Sequence, residues 1–401
     1  MKVYRIVAAI VLGVLACVIL LCSCHTEGSD TAAEYGKPVE FEGDPHEASV
    51  LFVNVGKADC AIVTVDGHTW LVDTGTKESF PAVFGALGVL GAESVDGVIV
   101  SHEHGDHAGG LDALAKRYGG FRVVTPELLT DSALIDEAVN ENGLSCIRVR
   151  AGAEVEIVPG VSFKVLGPAE RLPGDGNDNS LVALLEVNGR RFLFTGDVEA
   201  PGDAKLLESG ADVKCDVLKV PNHGNPDACS EAFAKAASPL ISVVSTDRRI
   251  DRNSANPRVL ARLSSSEIRI TQEYGVGVLV SVSPRGELSV SFPERPEPGS
   301  GAVIEAASKA EQSFVLKNTS GERVDLTGWF LYSTKGFEVF DFPEGTILEA
   351  GGTLTVACRK SPAAGTADLV WNEKKAWAGS KLDEAVLCDP YGNEIARKAS
   401  E

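Results

Sequence analysis

The run SHEHGDH at residues 101–107 follows directly on the apolar stretch VIV at residues 98–100. An apolar stretch of this kind predicts a buried strand, and a strand that stops in a glycine-containing turn brings the next side chains together. The sequence holds 7 histidines, so three of them in one hexapeptide indicate a metal site rather than a solvated loop. Imidazole suits zinc and carboxylate suits harder cations, so this mixture can serve two ions.

Two further apolar strands predicted from the sequence also end in candidate ligands. The strand at residues 191–194 runs into Asp197, and the strand at residues 216–220 runs into His223. Loops at strand ends are a common means by which a rigid scaffold holds a functional site. Strands alternate with helical patterns between residues 48 and 293, which predicts an α/β domain there.

A Pro/Gly segment at residues 294–301 is the clearest domain boundary in the sequence. Residues 302–401 beyond it have short strands, frequent turns and little helix, which predicts a small all-β sandwich. The length of 401 residues agrees with two domains, because it exceeds what one ordinary core supports.

The formal net charge of −20 argues against a broad, nonspecific grip on nucleic acid. Such affinity comes from Lys and Arg that displace phosphate counterions, so a nucleic-acid substrate would need a local basic site. One candidate is a group of five arginines between residues 248 and 262, although a solvated helix face is the more common explanation of such a group. The five are Arg248, Arg249, Arg252, Arg258 and Arg262.

The N-terminal residues have the pattern of an export segment. Lys2 and Arg5 precede an uncharged apolar run at residues 6–21, which fits a secretory signal and is short for a full membrane span. The sequence LCSC at residues 21–24 resembles the bacterial lipobox, with Cys24 as the acylated cysteine; an uncleaved helical anchor is the alternative. We therefore expect export residues 1–24, a flexible linker at residues 25–47, and an extracytoplasmic protein held at the bacterial cell membrane.

The remaining cysteines match no CxxC metal pattern. Six lie in the part of the chain predicted to fold, and scattered buried thiols are the expected state of most of them. Cys358 and Cys388 belong to the same C-terminal module, so they can pair in an oxidising compartment, but their spacing does not establish a disulfide.

The HxHxDH run, the later Thr-Gly-Asp turn and the strand-end histidine together resemble the metallo-β-lactamase superfamily. Four segments narrow the resemblance to the hydrolase domain of ComEC-type competence proteins, over about residues 48 to 293. These segments are FVNVGKAD at 52–59, LVDTG at 71–75, NSLV at 179–182 and VLKVPNHG at 217–224. The resemblance implies an αββα sandwich with a binuclear metal site at one edge.

Carried over residue by residue, the resemblance implies a set of six metal ligands. They are His102 and His104 for one ion, Asp106, His107 and His223 for the other, and Asp197 as the bridge, with Asp106 and Asp197 as the catalytic carboxylates. Asp73 is implied to support the loop that bears the histidines, and Asp59 to have a structural role near the site. Many members have a third histidine where this chain has Asp-Asn-Ser at residues 178–180, so zinc and manganese both remain open as the two divalent ions.

The implied reaction is hydrolysis. Two cations roughly 3.5 to 4 Å apart can share a hydroxide as nucleophile and clamp the substrate oxygens. The leading hypothesis is a phosphodiesterase or nuclease that acts on DNA. Around the scissile group this chain departs from the ComEC-type pattern, and four side chains there can contact a phosphate or serve only as turn and capping residues. They are Lys57, Asn179, Asn222 and Asn225.

The C-terminal module resembles the lamin-tail domain, an immunoglobulin-like sandwich. The segments FVLKNT at 314–319, VDLTGW at 324–329 and FPEGT at 342–346 carry this resemblance. It implies a role in binding or positioning, with Trp329 in the core and no catalysis in the module.

Rival functions remain open at this point. One keeps the metals but changes the substrate to a small or envelope phosphoester such as a phosphocholine group, which suits the acidic chain. Lactam hydrolysis ranks lower, because the chain resembles another branch of the superfamily. A third hypothesis, of a different class, is a catalytically inactive protein that binds the envelope or DNA.

Overall fold

The structure, a computed structural model, describes residues 33–35, 37–129, 131–174, 176–299, 301–378 and 382–401. The predicted export segment at residues 1–24, with Cys24, lies outside these residues. Residues 34–401 belong to one unit. Among the described residues, no helix has both the length and the apolar character that a membrane span requires.

Apolar residues account for the strands of the N-terminal domain. Buried residues alternate with half-buried ones in β9, whereas all four residues of β13 are buried, three of them apolar. The described strands before the Pro/Gly segment are β1 (Ala33–Tyr35), β2 (Ala48–Val53), β3 (Ala61–Val65), β4 (His68–Val72), β5 (Gly97–Ile99), β6 (Arg122–Pro126), β7 (Ser145–Val149), β8 (Glu154–Val158), β9 (Val161–Gly167), β10 (Val182–Val187), β11 (Arg190–Phe194), β12 (Val217–Lys219), β13 (Ile241–Val244), β14 (Glu267–Ile270), β15 (Gly277–Val282) and β16 (Leu288–Ser291).

The helices of this domain are short and lie between the strands. The described α-helices are α1 (Phe80–Val89), α2 (Gly105–Ala108), α3 (Leu111–Tyr118), α4 (Ala133–Asn142), α5 (Ala200–Glu208), α6 (Glu231–Ala237) and α7 (Pro257–Arg262). Single 3₁₀ turns lie at Lys77–Ser79, Asn177–Asn179, Pro221–Gly224 and Thr271–Glu273, and the C-terminal domain has one at Pro362–Gly365.

The strands form two facing sheets. One has the order β1-β16-β15-β2-β3-β4-β5-β6-β7 and the other the order β14-β13-β12-β11-β10-β9-β8. Each sheet changes from antiparallel to parallel pairing, at β4 in the first and at β11 in the second. A tight turn at Asn188-Gly189 joins β10 to β11, and both residues have positive φ.

The core lies between the sheets and on their outer faces. Phe52 stacks on Phe194 across the two sheets, with ring centroids 6.1 Å apart. Phe84 and its neighbours on α1 cover the outer face of the first sheet, while Phe233 of α6 packs against the outer face of the second. The predicted αββα sandwich is therefore confirmed. Because β5 and β12 run parallel to their neighbours, the loops after them meet at one edge of the sandwich.

The C-terminal domain is a β-sandwich, as predicted. Its strands are β17 (Ala302–Ser308), β18 (Ser313–Asn318), β19 (Val324–Asp325), β20 (Phe330–Ser333), β21 (Val339–Asp341), β22 (Ile347–Leu348), β23 (Thr353–Cys358), β24 (Leu369–Trp371), β25 (Glu384–Cys388) and β26 (Glu394–Ala399). The sheets β17-β18-β23-β24 and β21-β20-β25-β26 enclose an aromatic core, in which Trp329 is 6% exposed.

The C-terminal domain packs against α1 of the first domain. The rings of Phe84 and Phe330 meet edge to face at 5.4 Å, and Arg117 donates to the Gly328 carbonyl at 2.9 Å. Gly85 lies so close to the backbone of Tyr391 that a Cβ at this position would overlap the carbonyl oxygen. The two domains therefore meet in an apolar contact that only a glycine-bearing helix face permits.

The structure also describes part of the predicted linker and the six cysteines of the folded part. Within the predicted linker at residues 25–47, Val39 donates to the Arg285 carbonyl at 3.2 Å and His46 to the side chain of Asn188 at 3.0 Å, so this stretch contacts the domain. The six described cysteines are all free thiols, and five of them are buried. Cys358 and Cys388 are therefore not paired with each other.

Candidate metal centre

Five strands of the two sheets deliver the candidate site at their carboxyl ends. β4 is followed by Asp73, and β5 by the histidine-rich loop at residues 101–107. β11 is followed by Asp197, β12 by His223 and β13 by Ser245. The sequence places these residues far apart, and the parallel strand order brings them to one edge.

Asp73 fixes the orientation of His107. Its carboxylate accepts hydrogen bonds from the Ser101 backbone N–H at 2.7 Å and from the Ser101 hydroxyl at 2.8 Å. The same carboxylate lies 2.9 Å from Nδ1 of His107, which turns Nε2 of that ring toward Asp197. A carboxylate on the second nitrogen of a metal-binding histidine is a common way to set the ring and its tautomer.

His223 is oriented from the opposite side. Its Nδ1 lies 2.8 Å from the Ser245 carbonyl oxygen, and its Nε2 lies 3.2 Å from Oδ2 of Asp197. His223 and the preceding Asn222 both have positive φ, at 51° and 44°. Such backbone costs about 1–3 kcal/mol per residue and is found at functional sites, where the surrounding structure enforces it.

Asp197 lies between the two imidazoles. Its Oδ2 is 3.2 Å from Nε2 of His107 as well as of His223. Its backbone N–H donates to the Ser180 hydroxyl at 3.1 Å, and Gly196 before it has no room for a Cβ beside Ser180. Asp197 is 2% exposed.

His102 and His104 lie directly beside this group. Nε2 of His102 is 3.0 Å from Nδ1 of His104, and the rings of His102 and His107 have centroids 4.1 Å apart. Burial and the neighbouring charge of His107 hold the pKa of His102 well below its usual range, so this imidazole is neutral. Neutral imidazole is the form that binds a metal ion.

The donor set fits divalent cations. Nε2 of His107, Nε2 of His223 and Oδ1 of Asp197 are buried and have no hydrogen-bond partner among the described residues. Burial opposes charge on His223, but the charges of Asp197 and Asp59 outweigh it and raise the pKa of His223 to about 9. The pKa of His107 is raised in the same way, by Asp197 and Asp73. The carboxylates thus favour a positive charge at these two rings. A bound divalent cation supplies that charge while both imidazoles stay unprotonated.

Asp106 and Lys57 lie at the mouth of the site. Nζ of Lys57 is 2.6 Å from Oδ2 of Asp106. Burial disfavours the ammonium, but this hydrogen bond and the charges of Asp106, Asp197 and Asp59 outweigh it, so the pKa of Lys57 is raised. Lys57 is therefore charged at neutral pH. The two residues line a cleft of about 430 Å³ together with His104, Asn177, Asp197, Glu199, Asn222, Asn225, Pro226, Asp227, Asp251 and Asn253.

The predicted substrate-binding residues do not all reach this cleft. Asn222 and Asn225 line it, where the amide of Asn222 donates to Glu199 at 3.0 Å and that of Asn225 to Asn222 at 3.2 Å. Asn179 does not line it, because its side chain donates to the Leu172 carbonyl at 2.9 Å and accepts from the Leu172 N–H at 2.8 Å. Asn179 is thus a buried turn residue rather than a substrate contact.

Lys219 is a site residue that the sequence analysis did not single out. Its ammonium is buried, pairs with Asp59 and donates to the Gly196 carbonyl at 2.8 Å. Asp59 has a ligand atom within 4.8 Å of those of His107, Asp197 and His223. However, it faces the Nδ1 atoms of both histidines at 3.6 Å, away from the converging Nε2 atoms. Asp59 and Lys219 therefore support the ligands from behind, and a lysine inside the apolar run VLKV was the available signal.

Comparison with known proteins identifies both domains. Residues 53–247 match the Metallo-beta-lactamase superfamily, and residues 297–400 match the Lamin Tail Domain. The chain contains both domains, which confirms the two resemblances seen in the sequence.

The curated relatives include competence proteins. ComE operon protein 3 of Bacillus subtilis (strain 168) is 26% identical over 238 residues, which are 57% of this chain and 30% of that protein. Competence protein ComA of Neisseria gonorrhoeae is 28% identical over 204 residues, which are 50% of this chain and 27% of that protein. This chain thus spans less than a third of the length of either relative.

A solved structure shares a broad similarity with the chain. The metallo-beta-lactamase fold protein YhfI from Bacillus subtilis is 12% identical, covers 59% of this chain and 99% of its own, and gives a TM-score of 0.41.

Proposed function

We propose that this chain, a metallo-beta-lactamase domain followed by a Lamin Tail Domain, is a binuclear-metal hydrolase that cleaves phosphodiester bonds in DNA. The observation that carries the proposal is the convergence of Nε2 of His107 and Nε2 of His223 on one oxygen of Asp197, at 3.2 Å each. Two fixed imidazoles at one carboxylate oxygen form a site for one divalent ion, and the second oxygen of Asp197, with His102 and His104 alongside, can be shared with another. The relatives named as competence proteins support a DNA-related substrate.

The proposed ligands are those that the resemblance implied. His102 and His104 would hold one ion, Asp106, His107 and His223 would hold the other, and both ions would share Asp197. Two such ions, zinc or manganese, supply positive charge that lowers the pKa of water toward 7 and polarises a phosphoryl oxygen.

The chain's own residues have three tasks in this proposal. Asp73 and the Ser245 carbonyl hold His107 and His223 in the orientation that ligation needs. Lys57 binds a non-bridging oxygen of the phosphate, because its ammonium is charged and lies at the cleft beside Asp106. The amide of Asn225 at the cleft wall can donate to another oxygen of the same phosphate.

The experiment that tests the proposal is a substrate panel on the full chain in detergent. The chain is loaded with Zn²⁺ or Mn²⁺ and assayed with bis(p-nitrophenyl) phosphate, single-stranded DNA, double-stranded DNA and a β-lactam. We expect hydrolysis of the chromogenic diester and of DNA, and none of the β-lactam. Hydrolysis of the chromogenic diester without cleavage of either form of DNA would exclude DNA as the substrate. If no diester is hydrolysed, the proposal is overturned.

A small substrate with a positive charge is the second candidate. The carboxylates of Glu199, Asp227 and Asp251 line the cleft and suit a cationic group such as the choline of phosphocholine. Against this candidate, the described lining contains no Phe, Tyr or Trp, which are the usual partners of a quaternary ammonium. Hydrolysis of p-nitrophenylphosphocholine in preference to bis(p-nitrophenyl) phosphate would favour it.

The proposed location is outside the cytoplasm, at the bacterial cell membrane. This part of the proposal rests on the apolar run at residues 6–21 and on Cys24, which lie outside the described residues. Mass spectrometry of the mature N-terminus tests it. A diacylglycerol on Cys24 supports a lipid anchor, an intact N-terminus in the membrane fraction supports a helical anchor, and an unmodified chain in the cytosolic fraction overturns the proposal.

A further inference from the structure

The loop at residues 246–254, called here the rim loop, is fastened at both ends to the loop that bears His223. Before it, the Ser245 carbonyl holds Nδ1 of His223 at 2.8 Å. After it, the backbone N–H of Ala255 donates to the His223 carbonyl at 2.9 Å. The position of the rim loop relative to the proposed metal ligands is therefore fixed by the fold.

The base of the rim loop is rigid. The hydroxyl of Thr246 donates to that of Ser254 at 2.6 Å, and both residues are fully buried. The Asp247 carbonyl accepts from the backbone N–H groups of Ile250 at 2.9 Å and Asp251 at 3.0 Å. These bonds close a helical turn, so the tip is presented in one conformation at little entropic cost to a ligand.

The tip of the rim loop, residues 248–253, carries positive charge and an exposed apolar side chain beside the cleft. Arg248 and Arg252 are exposed, and neither has an acidic partner within 4.0 Å among the described residues. Asp251 and Asn253, on either side of Arg252, line the cleft itself. Ile250 is 69% exposed and lies over Gly56, the neighbour of Lys57. Arginines without acidic partners at the edge of a cleft, beside an exposed isoleucine, give this edge both the charge and the apolar surface that a polynucleotide can bind.

Two of the other three arginines of the sequence cluster, Arg249 and Arg262, have partners for their side chains. Arg249 forms three hydrogen bonds from its side chain to the carboxylate of Asp247, at 2.5 to 3.1 Å. Arg262 donates to the carbonyls of Ala228 and Cys229, at 3.1 and 2.9 Å. Arg258, on α7 outside the rim loop, is exposed and also has no acidic partner within 4.0 Å among the described residues, so the free guanidinium groups of the rim loop itself are those of Arg248 and Arg252.

We propose that the rim loop is the polynucleotide-binding edge of the cleft, a role that rests on the proposed phosphodiesterase function. Arg248 and Arg252 bind backbone phosphates that flank the scissile one, and Ile250 packs against a sugar or base. The substrate is a single strand, because His107 and His223 at the floor of the cleft are 0% exposed. A flexible strand can bend a phosphate into such a recess, whereas duplex DNA is stiff over this length.

The test is the binding of a fluorescein-labelled single-stranded 12-mer of thymidine, measured by anisotropy on the full chain in EDTA so that no cleavage occurs. The variant is Arg248→Gln/Arg252→Gln. The matched control, Arg323→Gln/Arg359→Gln, removes two exposed and unpaired arginines from the C-terminal domain. Each contact to a single-strand phosphate contributes about 0.7 to the slope of log K against log salt, so the variant should lose about 1.4 from that slope.

Three results support the rim-loop proposal together. The variant binds the 12-mer at least about tenfold more weakly at low salt, in line with the loss of two charge-assisted contacts, while the control matches the wild type. Ile250→Ala weakens binding without changing the salt slope. With metal restored, the variant's kcat/KM falls at least about ten times more on the 12-mer than on bis(p-nitrophenyl) phosphate.

Other results overturn it, and they separate it from the proposed function. If the variant and the control lose the same amount from the slope of log K against log salt, binding of the 12-mer depends on the net charge of the chain and not on the rim loop. Tighter binding of a 12-base-pair duplex than of the single strand would refute the assignment of the strand. If the wild-type chain hydrolyses bis(p-nitrophenyl) phosphate but does not bind the 12-mer, the proposed role of the rim loop is refuted and the proposed hydrolase function stands.

Discussion

The floor of the cleft and its rim are built in different ways. At the floor, His107, His223 and Asp197 are almost fully buried, and a second residue fixes each of them. At the rim, Lys57 and Asn225 are held by fewer bonds, and the free arginines of the rim loop have none with carboxylates. In the proposed enzyme, the buried floor therefore sets where the metal ions bind, while the rim selects the substrate.

The largest effect is expected from Asp197→Asn at the floor. The amide cannot carry the charge that two cations share, so turnover of bis(p-nitrophenyl) phosphate should fall by at least about 1000-fold, as expected when several kcal/mol of charge stabilisation are lost. Steady-state kinetics and circular dichroism measure activity and fold separately. Asp227→Asn, which removes a carboxylate from the cleft wall, is the control, and similar losses in both variants would abolish the distinction between floor and rim.

The next effect is on stability and concerns Lys219→Met. This change leaves Asp59 as an unpaired buried charge, which should cost about 3–5 kcal/mol in the free energy of unfolding. Urea denaturation measures it. The double variant Asp59→Asn/Lys219→Met removes both charges and should recover most of the loss. A single variant within about 1 kcal/mol of the wild type would show that the pair contributes little.

Asp73→Asn tests the support behind the floor. The amide keeps the size of the side chain but loses the charge that orients His107, so metal affinity should fall about 10- to 100-fold. Competition with a chromogenic chelator measures the affinity. Asp96→Asn, at an exposed ion pair with His68 in the same sheet, is the control and should leave it unchanged. Wild-type affinity in Asp73→Asn would mean that Ser101 and the backbone suffice.

The smallest effect is expected at the rim, from Lys57→Gln. Loss of one charged hydrogen bond to phosphate is worth about 1.5 kcal/mol, so KM for bis(p-nitrophenyl) phosphate should rise about tenfold. Because the contact is proposed for substrate and transition state alike, kcat should change little. Lys57→Arg should recover most of the affinity. A fall in kcat without a change in KM would instead place Lys57 among the groups that act in the transition state.

The contrast between the buried floor and the exposed rim also explains which features the sequence could predict. Local patterns and family resemblance predicted the two domains, their sandwich architectures and Asp73 as a support of the loop that bears the histidines. Those patterns are strong because buried strands and ligand clusters tolerate few residue types. Asn179 shows the limit, since the sequence does not reveal that both atoms of its amide bind the backbone of Leu172.

Long-range contacts account for what the sequence analysis left out. The pairing of Lys219 with Asp59 joins residues 160 positions apart in the chain, and no local pattern reports it. The attachment of the rim loop to His223 depends on the parallel order of β12 and β13. In the same way, the contact between α1 and the C-terminal domain rests on the fit of Gly85 against Tyr391, which only the folded chain displays.

The central claim is that the floor of the cleft holds two divalent cations. The most direct measurement is the metal content of the full chain after loading with Zn²⁺ or Mn²⁺ and desalting, by inductively coupled plasma mass spectrometry, next to a His107→Ala/His223→Ala variant. Two ions per wild-type chain and a loss of at least one in the variant is the predicted result. A wild-type chain that retains no metal, or a variant that retains both ions, would contradict the claim.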